Sequence, residues 1–237
     1  MAGASEAESG QATQGASQAS RCGEDGTTST ESTASAASTP ANEAMTRVCV
    51  FAGSSSGTRA DYADAAAQLG RTLAARGTGL VYGGARVGLM GTLADAVLAN
   101  GGHVTGVIPS ALVEKEVAHN GLTDLRVVGS MHERKALMAD LSDAFIALPG
   151  GWGTLDEMFE ILTWAQLGLH RKPCGLLNVR GYFDRLLSFL DHSMEQGFVR
   201  REYGSLLSVA ETPEALLDLM AAQQPPAVEK WIGLAQT

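Results

Sequence analysis

"AFIALPGGWGTLDE" (Ala144 to Glu157) passes from a short apolar run, through Pro149 and three glycines, into a threonine and two carboxylates. The run Ala144–Leu148 is apolar on both faces, as a strand buried inside a parallel sheet is, and the residues from Thr154 onward have helical periodicity. The glycines between them make a strand-to-helix turn. The same cadence recurs along the chain, with further strands expected at Val48–Ala52, Gly79–Tyr82, His103–Ile108, Leu125–Val128 and Cys174–Asn178. Crossover helices are expected at Tyr62–Arg76, Gly91–Asn100, His132–Ser142 and Thr154–Leu169. Repeated βαβ units predict an α/β fold, a Rossmann-like doubly wound parallel sheet with ligands at the carboxyl ends of its strands.

The chain has 237 residues, a length that suits one core domain with an appendage. Residues 1–44 lack Leu, Ile, Val, Phe, Tyr and Trp, so they are expected to form a disordered low-complexity tail. Arg21 alone stands against Glu6, Glu8, Glu24, Asp25, Glu31 and Glu43, which is unlike a transit peptide, and the tail has no apolar core of a secretory signal. Met45 immediately precedes the first strand, so the tail reads as an upstream extension of a domain over 45–222, with 223–237 as a C-terminal tail. Net charge is −9 without a dense basic cluster, which argues against nucleic acid as a partner. No 18-residue apolar run is present, so no membrane span is expected. Cys22, Cys49 and Cys174 are an odd set without a C-x-x-C, which points to a reducing cytoplasm.

Four glycine-bearing loops follow expected strands: "GSSSG" (Gly53–Gly57), "GGARVGLMG" (Gly83–Gly91), "GSMHERK" (Gly129–Lys135) and the loop at Pro149. Each glycine can simply serve a tight turn. Four such loops on one crevice instead suit a phosphate approached by backbone N–H groups at helix N-termini. No glycine is followed by Lys and then Ser or Thr, which excludes a Walker loop, and "GSSSG" is not the G-x-G-x-x-G of a dinucleotide site. No cofactor is therefore expected. "HERKA" has Ala136 where a zinc-protease helix needs its second His, so no metal is expected. "GSSSG" does match a nucleophile elbow at Ser55, but that elbow follows several strands and here only the tail lies upstream. Phosphate-contacting hydroxyls are the better reading of Ser54 to Ser56.

Two charged residues break the apolar pattern. Met131, Arg134, Met138 and Leu141 fall on one helical stripe, so Arg134 faces the sheet, either gripping a phosphate or carboxylate or bridging a structural carboxylate or reaching solvent. Lys135 reads as a solvated neighbour. "TLDE" is a capping box on sequence grounds, with Thr154 as cap and Glu157 reaching back to it. Yet Asp156, Glu157 and Glu160 would repel a phosphate over the glycines, so at least one should face another part of the ligand; a carboxylate beside a sugar suits glycosidic cleavage. Trp152 and Trp164 are candidates to stack on a base.

"PGGWGTLDE" and "MHERK" together resemble the paired motifs of the LOG family, the cytokinin riboside 5′-monophosphate phosphoribohydrolases formerly labelled lysine decarboxylases. "GSSSG", "GLMG" and "VIP" also stand in their expected places, and the resemblance covers about Met45 to Ala222. It implies a Rossmann-like homodimer, with active sites near the dimer interface, that cleaves the N-glycosidic bond of an N6-substituted adenosine monophosphate. By motif position it implies Arg134 and Glu157 as the catalytic pair. Substrate contacts are expected from Gly53, Ser54, Ser55, Gly83, Gly84, Gly88, Met90 and Lys135, from Gly150, Gly151, Trp152, Gly153 and Thr154, and at Glu116 and Thr163. Trp152, Asp156 and Ala85 depart from a common Tyr, Glu and Gly, the last expected to add a Cβ near the phosphate path. A nucleosidase for ordinary purine or pyrimidine monophosphates and a non-catalytic nucleotide carrier or sensor are the alternatives. A lysine decarboxylase is disfavoured, because no pyridoxal phosphate signature is present in the sequence.

Overall fold

A computed structural model of the chain describes residues 45–113 and 118–224. The expectations for residues 1–44 and for Glu116 lie outside the described residues. Strands β1 (Arg47–Phe51), β2 (Gly79–Tyr82), β3 (Val104–Pro109), β4 (Asp124–Val128), β5 (Ala144–Ala147), β6 (Cys174–Leu177) and β7 (Leu207–Ala210) form one parallel sheet in the order β4-β3-β2-β1-β5-β6-β7. The chain winds outward from β1 to β4, returns to set β5 beside β1, and winds the opposite way to β7. The winding reverses between β1 and β5, where Val48 pairs with Ala144 and Phe51 with Ala147. A sheet reversed in this way opens a crevice beyond the carboxyl ends of the two strands at the reversal.

Successive side chains of β1 divide between two cores, as a period-two strand requires. Val48 and Val50 join Leu69, Leu93 and Leu216 from α1 (Ala60–Ala75), α2 (Gly88–Ala99) and α7 (Pro213–Ala222). Cys49 and Phe51 join Met138 and Ile161 from α4 (Met131–Asp140) and α5 (Trp152–Gln166). A four-residue helix, α3 (Ser110–Val113), follows β3, and α6 (Asp184–Glu195) follows β6. The glycine loops run along the crest between the two layers.

Three expectations need correction. Leu125–Val128 is not apolar and buried on both faces: β4 is the edge strand, and Val127 is 55 % exposed. A seventh strand, β7, escapes the sequence pattern because it is a four-residue, half-buried edge with Ser208 in its middle. The α1, α2, α4 and α5 helices begin one to three residues before the expected starts, at Ala60, Gly88, Met131 and Trp152.

Candidate active site

The loops after β1, β2 and β5 are tied together by their backbones. The Gly53 N–H donates to Pro149 O at 3.2 Å, and the Leu89 N–H donates to Gly53 O at 3.0 Å. Gly88, the first residue of α2, has φ +60° and lies so close to the Ser54 backbone that a side chain there would collide with it. Above this junction is a cleft of about 310 Å³, whose lining includes Gly53 to Gly57 on one side and Gly150 and Gly151 on the other. Gly53, Ser54 and Ser55 of the first glycine loop thus line it together. Two lining residues that the sequence reading missed are Tyr62 and Tyr182. Tyr182 had an available signal, a further glycine-bearing turn (Gly181-Tyr182) after a strand's carboxyl end, whereas Tyr62 sits in the first turn of α1 without one.

The start of α5 contradicts the expected capping box. Gly151 is the N-cap and no side chain caps the helix, so Thr154 is its third residue rather than its cap. The Thr154 side chain is buried and turned back against Gly150, leaving no room for a Cβ at Gly150. Leu155 N–H bonds to Gly151 O at 3.2 Å, which fixes the first turn. The opening N–H groups of a helix have no intrahelical acceptor, and together with the helix dipole they favour an anion. Gly151 and Gly153 have open space where a Cβ would stand, so packing does not demand glycine at either. Trp152 between them is 90 % exposed, whereas Trp164 packs against the core.

A capping box does exist, at the start of α4. Ser130 Oγ accepts from Glu133 N–H at 3.1 Å, and Glu133 Oε2 accepts from Gly129 N–H at 2.6 Å. This fixes the first turn that carries Arg134. Arg134 is 8 % exposed and does not reach solvent. Its Nε donates to Val107 O at 3.1 Å, Nη2 lies 3.5 Å from Gly83 O, and Nη1 lies 3.6 Å from Glu157 Oε1. The guanidinium thus spans from Val107 within β3 and Gly83 at the end of β2 to a carboxylate from α5. At Gly83 a Cβ would run into the guanidinium, a physical reason for glycine there. Beneath the pair, burial pushes the Cys49 thiol well above its ordinary pKa; the Glu157 charge pushes the same way and Arg134 opposes it.

Lys135 is not a solvated neighbour. Its Nζ lies 2.8 Å from Asp156 Oδ2 and 3.1 Å from Glu160 Oε2, tying α4 to α5. Burial disfavours its charge, but the two carboxylates outweigh that effect and hold the ammonium above its ordinary range. Of the three α5 carboxylates, Asp156 and Glu160 share the Lys135 ammonium and Glu157 is turned to Arg134. Met90 is buried beside Gly83, and Gly84 O accepts from His119 N–H at 3.0 Å. Thr163 is not brought to the crevice: it lies on an exposed face of α5 with Trp152 and Phe159, and its hydroxyl donates to Phe159 O at 2.7 Å. Nor does Ala85 narrow a phosphate path, because it is wholly buried in the core and bridged to Ala118.

A family model described as "Possible lysine decarboxylase" matches residues 90–220. "Probable cytokinin riboside 5'-monophosphate phosphoribohydrolase LOGL9" of Oryza sativa subsp. japonica is 54% identical over 179 residues, 76% of this chain and 79% of that protein. Cytokinin riboside 5'-monophosphate phosphoribohydrolase LOG1 of Arabidopsis thaliana is 48% identical over 200 residues, 81% of this chain and 94% of that protein. Among solved structures, the molybdenum cofactor binding protein from Rippkaea orientalis shares the fold with a TM-score of 0.58 at 25% identity, over 75% of this chain and 96% of that one.

Proposed function

The chain belongs to the LOG family of cytokinin riboside 5′-monophosphate phosphoribohydrolases, and on that premise we propose that it hydrolyses the N-glycosidic bond of N6-modified adenosine 5′-monophosphates. The products are the free base and ribose 5-phosphate. It is an N-glycosyl hydrolase, and the observation that carries this reading is the buried Arg134–Glu157 pair beside the uncapped, glycine-rich start of α5. One half suits an anion and the other suits a developing cation. A carrier that only binds nucleotides gains little from a carboxylate at that position.

In this mechanism the N–H groups from Gly151 to Thr154 and the hydroxyls of Ser54 and Ser55 hold the 5′-phosphate. Arg134, held by the carbonyls of Gly83 and Val107, fixes the nucleotide and the direction of Glu157. Glu157 faces the ribose, stabilises positive charge at C1′ as the C1′–N bond lengthens, and orients the attacking water. The water oxygen joins C1′ and the base leaves with a proton on a ring nitrogen. Lys135 acts from behind, by keeping Asp156 and Glu160 from repelling the phosphate. Gly83, Gly84, Gly88 and Met90 shape the β2 side of the crevice.

The active unit is proposed as residues 45–222, a homodimer with its sites near the interface. Exposed apolar residues around the site support this: Met131 at the start of α4, and Trp152 and Phe159 one above the other on α5. Thr163 on the same α5 face is then available to a substrate held by the partner. Among the described residues no helix is long and apolar enough to cross a membrane. A cytoplasmic setting is proposed from the free thiols of Cys49 and Cys174. Incubation with isopentenyladenosine monophosphate, AMP and the unphosphorylated riboside, with free base followed by chromatography, tests the reading. Release is expected from the modified monophosphate, less from AMP and none from the riboside. Equal release from AMP would move the enzyme to general nucleosidases; tight AMP binding without release would leave a carrier or sensor.

A further inference from the structure

The loop after β6 plays no part in the motifs, yet it reaches the site. We infer that Tyr182 is a positioning residue for the reaction: through the Gly150 carbonyl it sets the direction of the phosphate-binding N–H groups at the start of α5. The inference rests on the phosphate reading given above.

The Tyr182 hydroxyl donates to Gly150 O at 2.6 Å, 32 residues away in sequence. In a planar trans peptide the C=O and the next N–H point in opposite directions. Holding Gly150 O toward Tyr182 therefore turns the Gly151 N–H away from the tyrosine, at the open start of α5. That peptide is the one least able to hold itself, since both of its residues are glycine and no side chain caps the helix. Tyr182 also lines the cleft, but as a neighbour and not as a donor to the ligand. Its one proton is committed to Gly150, and a phenol oxygen has nothing further to offer an ionised phosphate.

The turn that presents Tyr182 is built at a cost. Arg180 adopts φ 53°, ψ 33°, the left-handed region that a residue with a Cβ rarely occupies, and Gly181 follows at φ 71°. Asn178 fastens the turn from inside: its Oδ1 accepts from Phe183 N–H and its Nδ2 donates to Asp184 Oδ1, both at 2.8 Å. Its own N–H donates to Ala210 O of β7 at 2.8 Å. The buried Phe183 ring meets Tyr182 edge-on with centroids 4.9 Å apart, and Tyr62 of α1 meets it edge-on at 5.7 Å. Ring contacts on two sides and the fastened turn hold the half-exposed Tyr182 with its hydroxyl toward Gly150 O.

Tyr182→Phe removes the hydrogen bond and keeps the ring. Wild type and variant are compared for kcat and KM with the modified monophosphate, for ribose 5-phosphate affinity by calorimetry, and for melting temperature. A rise in KM and a loss of ribose 5-phosphate affinity of about 2- to 10-fold each, the worth of one neutral hydrogen bond, with kcat and melting little changed, is expected. Unchanged KM and affinity, whether or not melting falls, overturns the inference and leaves Tyr182 a structural residue. If wild type releases no base but Tyr182→Phe still weakens ribose 5-phosphate, the hydrolase reading fails and the positioning role stands. Should Tyr182→Phe not fold, Asn178→Asp, which keeps the Oδ1 acceptor for Phe183 N–H and loosens the turn, is expected to shift KM in the same direction; no shift overturns the inference.

Discussion

Two helices on the same face of the sheet begin with the same sequence pattern, Ser130-x-x-Glu133 at α4 and Thr154-x-x-Glu157 at α5, and the structure uses them in opposite ways. At α4 the pattern is a capping box: hydroxyl and carboxylate close on backbone N–H groups at 3.1 and 2.6 Å. At α5 the helix has already begun at Trp152, so the threonine has no cap to make and the glutamate turns inward to Arg134. What separates them is the residues before the hydroxyl. Ser130 has an extended backbone at the helix boundary, whereas Gly151 occupies that boundary in α5 and moves the threonine into the first turn. One helix start is closed by its own side chains, and the other is left open to a ligand.

The sharpest way to break this contrast is Glu157→Gln. It is expected to lower kcat by roughly 10²–10⁴-fold, the range for a positioned acid or base, while melting shifts little because Arg134 keeps its carbonyl acceptors. Loss of folding with intact turnover per folded molecule would make the pair structural. Gly153→Ala is a smaller intervention, because the added methyl meets no protein atom. It should stabilise α5 by up to about 1 kcal/mol and raise KM on the order of tenfold if a ligand occupies that open space. Higher melting with unchanged KM would detach the glycine from binding. Least disruptive is Ser130→Ala, expected to cost about 1 kcal/mol in chemical denaturation and to leave KM nearly unchanged.

The sequence carried the interior of the sheet well, because strands buried on both faces are written as unbroken apolar runs. It carried the edges badly: β4 exposes residues that look like core, and β7 has no run long enough to stand out. Arg134 was legible as a cation on a stripe that should be apolar. Its meeting with Glu157 was legible only through the paired motifs, since that contact joins two helices separated in sequence by β5. For the same reason Lys135 looked solvated, as nothing local to α4 reveals that Asp156 and Glu160 stand opposite. Ala85 looked like an intruder in a glycine loop, and its methyl points into the core instead.

The closeness of Gly83 to the Arg134 guanidinium couples two sites distant in sequence. A side chain at 83 would force the guanidinium out of its present place, and loss of the arginine would lift that bar to a side chain at 83. A descendant that abandoned hydrolysis would be released from both constraints at once, so the two positions should drift as a pair. Across an alignment of many relatives, a larger residue at 83 would mark chains that no longer carry the cation, before any activity was measured.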